Sequence, residues 1–243
     1  MANWDPLSCL DEQPTPLSLR RIIKELTEFS VQPPAGIFIA PVEADITRVH
    51  VLMLGAPGSP YEGGFFQFFV KFPSNYPLSP PRVRFLTTDE GRVRFHPHLY
   101  ECGKVCLTTL GTRGGLCDWS PAQSLSSTLV SIQALVSDYV LDSANIQYET
   151  IRVAVCDQVD AALREDAMCP PAIRQIILQS FLESYSKYEG AVKARLHMFK
   201  ILKDVLFAPG GSKIAEYEKL LTRLESLKDK VQMKREAEAA AEI

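Results

Sequence analysis

The chain has 243 residues, 46% apolar and 23% charged, which suits one sizeable globular domain or a domain with an extension. A net charge of -3 and a pI near 5.9 argue against broad nucleic-acid binding, which needs a basic surface, and no window approaches the roughly 18 apolar residues of a membrane span. Six cysteines (Cys9, Cys102, Cys106, Cys117, Cys156 and Cys169), in a chain too long and apolar to need staples and opening MANWDPLSCLDEQ without a basic-then-apolar leader, indicate a reducing compartment, cytoplasm or nucleus, and mostly free thiols.

Residues 1–16, with scattered Asp, Gln and Pro, are expected to form a short flexible lead-in. Ser18 to Phe29 predicts a helix: Leu19, Ile22, Ile23, Leu26 and Phe29 recur on one face, Ser18 suits the N-cap, and Pro33-Pro34 stops it. GIFIAPVE, TRVHVLMLGA, GFFQFFVKF and PRVRFLT, within residues 36–85, are rich in β-branched and aromatic residues and are parted by short Pro/Gly turns. Links that short leave no room for crossover helices, so the four predict an antiparallel meander. From Gly91 to Pro121 periodicity vanishes, yet Val105, Leu107, Leu110 and Trp119 keep the stretch apolar enough to pack, which marks a functional loop. Helices are predicted at Ser124–Val136, from Thr150 to about Leu163, from Pro170-Pro171 to about Tyr188, and from about Ala191 to Phe207. After Pro209-Gly210-Gly211 the stripe Tyr217, Leu220, Leu221, Leu224, Leu227 and Val231 makes an amphipathic helix expected to pack on its own domain, and KREAEAAAEI reads as its fraying end.

Inside the loop, HPHLYECGKVCL packs His96, His98, Cys102 and Cys106 into eleven residues. The ligand types suit zinc, but structural zinc sites favour C-x2-C pairs and the chain has none. A Cys102–Cys106 disulfide is within reach, though a reducing compartment opposes it. Buried free cysteines and hydrogen-bonded histidines are the plainest account of the stretch alone. The remaining reading is a nucleophile: in Gly103-Lys104-Val105-Cys106-Leu107 a small residue gives access and a cation two positions before the thiol favours its thiolate.

The surroundings decide among these. Gly58-Ser59-Pro60-Tyr61-Glu62-Gly63-Gly64-Phe65 precedes Phe72-Pro73-Ser74-Asn75-Tyr76-Pro77-Leu78-Ser79-Pro80-Pro81-Arg82-Val83-Arg84-Phe85, then come His96-Pro97-His98, Gly103-Lys104-Val105-Cys106-Leu107 and Trp119-Ser120-Pro121-Ala122. This ordered series resembles the ubiquitin-conjugating enzyme family over roughly residues 17–145. Tyr148 to Asp157, Ser180-Phe181-Leu182-Glu183 and Leu110-Gly111-Thr112 look like the class-Z members of that family. The resemblance implies an α+β fold: a conjugating-enzyme core at 17–145, with an N-terminal helix, a four-stranded antiparallel meander, an active-site loop and C-terminal helices, plus a helical extension at 146–243. It implies that Cys106 accepts ubiquitin or a ubiquitin-like protein from an activating enzyme as a thioester and transfers it to a lysine or a ligase. No cofactor or metal is expected on this chain, since the activating enzyme consumes the ATP.

Two departures stand out. The family motif is His-Pro-Asn, with the Asn eight residues before the cysteine, and here that slot is His98. The family's amide orders the loop and donates to the oxyanion. A neutral imidazole can donate one such bond; an ordinary imidazolium donates better but is depleted above about pH 6.5. Losing one oxyanion donor costs about 10²–10³ in rate, so aminolysis is more exposed to this change than thioester loading. His96 reads as a loop-ordering residue that is not a base. The second departure is a short loop after the helix that follows Trp119, where Asp142, with Asp138 as backup, is the candidate gate for the incoming lysine, while Thr108 reads as structural.

By the same resemblance Arg20, Arg21 and Lys24, expected on an exposed basic helix face, meet the activating enzyme. Leu78 and Ser120-Pro121-Ala122 occupy the two loops that meet ligases. The rival reading is a non-catalytic variant that binds ubiquitin or a ligase without loading; it ranks below because Cys106 is present.

Overall fold

The computed structural model describes residues 4–114, 116–137, 143–166, 169–206 and 211–241. They form two compact units, Met1–Ala154 and Val155–Ile243. The expected boundary at 145/146 lies in α3 (Ser143–Glu149); the division falls later, within a π-helical stretch at Thr150–Asp157.

In the first unit, α1 (Pro16–Val31) begins two residues before the predicted cap. Thr15 is the true N-cap, accepting from the Ser18 amide at 3.2 Å, because Pro16 sits best at the first helical position, where no amide is needed. Ser18 is buried and donates to the Ser74 carbonyl at 2.8 Å. The inner face carries Ile22 and Phe29 as expected, but Ile23 turns to solvent (48% exposed) and Glu25 is buried in its place (5%).

Strands β1 (Ile37–Val42), β2 (Asp45–Leu54), β3 (Phe65–Lys71) and β4 (Arg82–Phe85) form the predicted antiparallel meander in sequence order. The register sets Val51 opposite Phe68 and Phe68 opposite Phe85. Since side chains alternate across a strand, Val49, Val51, Met53, Phe66, Phe68, Val70, Val83 and Phe85 share one face. They join Ile22 and Phe29 of α1 and Leu125, Leu129 and Ile132 of α2 (Leu125–Leu135) in one apolar core.

The lead-in is not loose. Arg82 makes a fork of two bonds to Glu12 at 2.9 and 3.0 Å, Arg84 pairs with Asp5, and the buried Lys71 ammonium reaches the Glu12 carbonyl at 3.1 Å. Arg82 holds the Glu12 carboxyl below its ordinary value. Composition did not show this because the partners lie some 70 residues away in sequence.

The second unit is helical: α4 (Gln158–Leu163), α5 (Pro171–Leu206) and α6 (Gly211–Ala241). The two helices predicted on either side of Gly190 are one. Gly190 is exposed and costs about 1 kcal/mol in a helix, while Tyr188, Val192 and Leu196 continue the buried face across it. Tyr217, Leu220, Leu224, Leu227 and Val231 are buried on α6, which stays helical to Ala241 where fraying was expected. Arg223 of α6 pairs with Asp157 at 2.7 Å and with Asp160, and burial pushes the neighbouring Cys156 thiol up to about 12.

Candidate active site

The loop between β4 and α2 is anchored to the core before it turns. Phe95 is fully buried, its ring edge-on to Phe66 at 5.2 Å, and its carbonyl accepts from the Tyr61 hydroxyl at 2.8 Å. Leu99 and Val105 are fully buried too and face each other as an antiparallel bridge. Between them the chain reverses: the Tyr100 amide donates to the Lys104 carbonyl at 3.0 Å and the Gly103 amide to the Tyr100 carbonyl at 2.9 Å. Gly103 is required here. Its φ is +90°, a Cβ would stand 2.8 Å from the Phe85 carbonyl oxygen, and the Phe85 amide donates to the Gly103 carbonyl at 2.8 Å.

This hairpin explains the eight-residue spacing. One step beyond the Leu99–Val105 bridge, the Cys106 amide donates to the His98 carbonyl at 2.8 Å, so the two residues lie opposite each other. The His98 amide donates to His96 Nδ1 at 3.1 Å, and the two rings are 5.4 Å apart. A ring that accepts at Nδ1 carries its proton on Nε2. Arg94 lies over the Tyr100 ring at 4.3 Å and donates to the Pro97 carbonyl at 2.7 Å, gripping the His-Pro-His turn from outside.

Cys106 is 8% exposed, and its thiol points toward the Thr112 carbonyl at 3.9 Å. The Leu107 amide donates to the Thr112 hydroxyl at 2.9 Å. Both backbone amides nearest the thiol are therefore engaged. Cys102 sits exposed at the hairpin tip, and none of the six cysteines is in a disulfide. Among the described residues no three His, Cys, Asp or Glu side chains converge in a way that would hold a metal, and no helix is long and apolar enough to cross a membrane. Asp138 and Asp142 lie outside the described residues.

The basic helix face needs a correction. Arg20 is exposed, and Lys24 is exposed beside Glu28 at 3.6 Å. Arg21 instead folds inward: its Nε pairs with Glu25 and its terminal nitrogen donates to the Gln123 carbonyl at 2.8 Å. A buried carboxylate must be matched by donors. Glu25 receives Arg21, the Tyr76 hydroxyl at 2.8 Å and the Leu125 amide at 2.7 Å. Burial, with the Glu25 charge, pushes the Tyr76 phenol up. Nothing in the helix periodicity signals this junction, since Glu at position 25 looks like one more solvent-facing charge.

Leu78 is 73% exposed, and Ser120, Pro121 and Ala122 are exposed. The structure brings these two loops together: Trp119 Nε1 donates to the Pro77 carbonyl at 2.7 Å, and the Tyr76 and Trp119 rings are 5.9 Å apart. Sequence reasoning read Thr112 only as part of a family motif and missed Phe95, Arg94 and Glu25. A Gly-Thr pair closing a tight turn after the thiol was the available signal for Thr112.

Residues 21–158 match the family model described as "Ubiquitin-conjugating enzyme". The chain belongs to that family, whose members are transferases that carry ubiquitin as a thioester. Among its relatives, "Ubiquitin-conjugating enzyme E2 Z" of Homo sapiens is 40% identical over 254 residues, covering 95% of this chain and 69% of that one. The Danio rerio protein of the same name is 39% identical over 255 residues, 96% and 75% of the two chains. The solved structure titled "Plasmodium vivax ubiquitin conjugating enzyme E2" is 32% identical and covers 48% of this chain and 99% of that one, with a TM-score of 0.42. The class-Z resemblance read from the C-terminal motifs thus extends over nearly the whole chain.

Proposed function

We propose that Cys106 is the thiol that takes ubiquitin or a ubiquitin-like modifier from an activating enzyme and passes it to a lysine or a ligase. The observation that supports this most is the hairpin: it sets the one thiol borne by the family motif directly across from His98, on a loop anchored by three buried residues. The Cys106 thiolate attacks the modifier's C-terminal carbonyl, held as a thioester on the activating enzyme. A tetrahedral oxyanion forms, and it collapses to a Cys106 thioester as the activating enzyme's thiolate leaves. An amine, which gives up a proton to solvent, or a ligase thiolate then attacks the same carbonyl, and the Cys106 thiolate leaves.

Both steps need a donor for the oxyanion. The amides of Cys106 and Leu107 already donate to the His98 carbonyl and the Thr112 hydroxyl, so the donor comes from a side chain. We assign it to the His98 imidazole. His96 braces the turn through its Nδ1. Asp142 is assigned as the gate that favours an uncharged amine. Arg20 and Lys24 contact the activating enzyme, whereas Arg21 acts through Glu25. Leu78, Ser120, Pro121 and Ala122 present the ligase surface. The chain binds no cofactor itself, ATP being spent by the activating enzyme, and it works in the cytoplasm or nucleus.

The test is incubation of the full chain with ubiquitin, ATP and a panel of activating enzymes, followed by non-reducing electrophoresis. A reductant-sensitive adduct that disappears in Cys106→Ala is expected. Absence of an adduct with every activating enzyme would favour the binding-only variant.

A further inference from the structure

We infer that Thr112 is the positioning residue for the Cys106 thiol, a staple that holds the sulfur for acyl transfer; this rests on Cys106 being the carrier. One residue bonds to the nucleophile and to both of its neighbours. The Thr112 hydroxyl donates to the Val105 carbonyl and accepts from the Leu107 amide at 2.9 Å. The Thr112 amide donates to the Leu107 carbonyl at 3.1 Å, and the Thr112 carbonyl is the acceptor 3.9 Å from Cys106 Sγ. Cys106 is thus enclosed by a ring of hydrogen bonds that all pass through residue 112.

The chain is built to deliver Thr112 there. After Leu107 a single 3-10 turn, Thr108–Leu110, ends at Gly111, whose φ of +64° reverses the direction of the chain. The Gly111 amide closes the turn on the Thr108 carbonyl at 2.9 Å, and the Asp118 amide donates to the same carbonyl at 3.0 Å. A Cβ at 111 would stand 3.1 Å from Cys117 Sγ, so the reversal is buttressed from outside as well.

The chemistry explains why such a staple matters. Attack on a thioester carbonyl needs the sulfur within about 3–3.5 Å of the carbon and on line, and a 1 Å displacement can cost about 10²-fold. The residues around the thiol have no regular secondary structure to hold them. The cross-hairpin bond from the Cys106 amide fixes the backbone before the sulfur, and Thr112 fixes the backbone after it and the direction of the thiol. A hydroxyl that donates one bond and accepts another can be supplied by Thr or Ser. Valine matches the shape of Thr and does neither.

The test compares Thr112→Val and Thr112→Ser in the full chain by two independent readouts. In single-turnover loading from ubiquitin-charged activating enzyme, Thr112→Val is expected to lower the rate at saturation roughly 10- to 100-fold while leaving KM within about threefold, and Thr112→Ser to stay within about threefold of the parent. With the chain alone, mass spectrometry follows iodoacetamide modification of Cys106 against exposed Cys102 as an internal standard. Releasing the loop is expected to speed modification of Cys106 in Thr112→Val, opposite in direction to the loading effect, and not in Thr112→Ser. Parental values of both the loading rate and the alkylation ratio in Thr112→Val would overturn the inference and leave Cys106 as carrier. A rise in KM alone would also overturn it, placing Thr112 in partner binding. If the parent itself forms no adduct, the carrier reading fails, and the alkylation ratio still decides whether Thr112 holds the thiol. Should Thr112→Val fail to give a cooperative melt, Thr112→Ala is read in the same two assays.

Discussion

Strand β3 and the hairpin from Phe95 to Cys106 both serve the same site, yet they keep their shapes by different means. All seven residues of β3 are buried. Phe66 and Phe68 contact Phe85 at 6.4 and 5.0 Å between ring centres, and such packing is worth energy in proportion to the area removed from water. The hairpin sits at the core's margin, with apolar anchors only at Phe95, Leu99 and Val105. Between them the turn is set by individual polar atoms, the His98 carbonyl, His96 Nδ1 and the Pro97 carbonyl, and just after them the Thr112 hydroxyl adds to the packing of Leu107 and Leu110. Packing of the first kind yields gradually to substitution, because neighbours relax and volume can be exchanged. A loop of the second kind loses its geometry when one donor or acceptor is lost, while costing the fold only about 0.5–1.5 kcal/mol per bond. Stability and chemistry are thereby held in neighbouring but separable places.

That separation can be broken experimentally, and the sheet should show the largest effect. Phe68→Ala removes a fully buried ring against Phe85 and is expected to cost about 3–5 kcal/mol by denaturant unfolding, with loading per folded molecule near the parental value. A proportionate loss of loading in the folded fraction would show that the hairpin depends on sheet packing after all.

A smaller effect is expected at Asp89, in the turn leading into the loop, which receives Arg92 and, at 2.8 Å, Arg152. Hydrogen bonds from Arg92, with Arg152 adding to them, hold its carboxyl down to about 2. The charge pair therefore stabilises the fold fully above the ordinary carboxylate value near 4 and is lost as pH falls from there toward 2. Asp89→Asn, which tolerates the left-handed backbone of this residue (φ +51°), should lower stability at pH 7 by about 1–2 kcal/mol. It should also make unfolding less steeply pH-dependent between about pH 4 and 2 in thermal melts. An unchanged acid profile would show that the clamp contributes nothing.

The smallest effect on the fold should come at His98, whose side chain is assigned to chemistry rather than packing. His98→Asn is expected to leave the melting temperature in place and to speed discharge of the preformed thioester onto free lysine up to about tenfold. Discharge at an unchanged rate removes His98 from the oxyanion role.

Much of this was legible in the chain itself. The meander followed from β-branched and aromatic runs parted by short turns, since nothing but an antiparallel return fits links of that length. The motifs on both sides singled out Cys106, and the kept register to His98 matches the pairing of the two residues across the hairpin. Helix faces were read less well at the places where a polar residue goes inside. Glu25 is buried, and Arg21 turns in toward it, because Tyr76 and the Leu125 amide supply donors from 51 and 100 residues away. No local pattern carries that information. The same distance in sequence hides the partners that pin Asp5 and Glu12 to the sheet. The break predicted between Tyr188 and Ala191 erred in the opposite sense, since the local helix cost of Gly190, about 1 kcal/mol, is outweighed by apolar burial on both sides of it.

By itself, then, the sequence determined the order and type of most elements, the family, and the thiol proposed to carry the chemistry, because periodicity and motif spacing are local properties of a chain. Only the tertiary structure decided which polar groups meet: that His98 and Cys106 lie across a hairpin, that the amides beside the thiol are occupied, and that Thr112 returns to enclose it. Hydrogen bonds are short-ranged and directional, so their pairing exists only after the chain has folded back on itself.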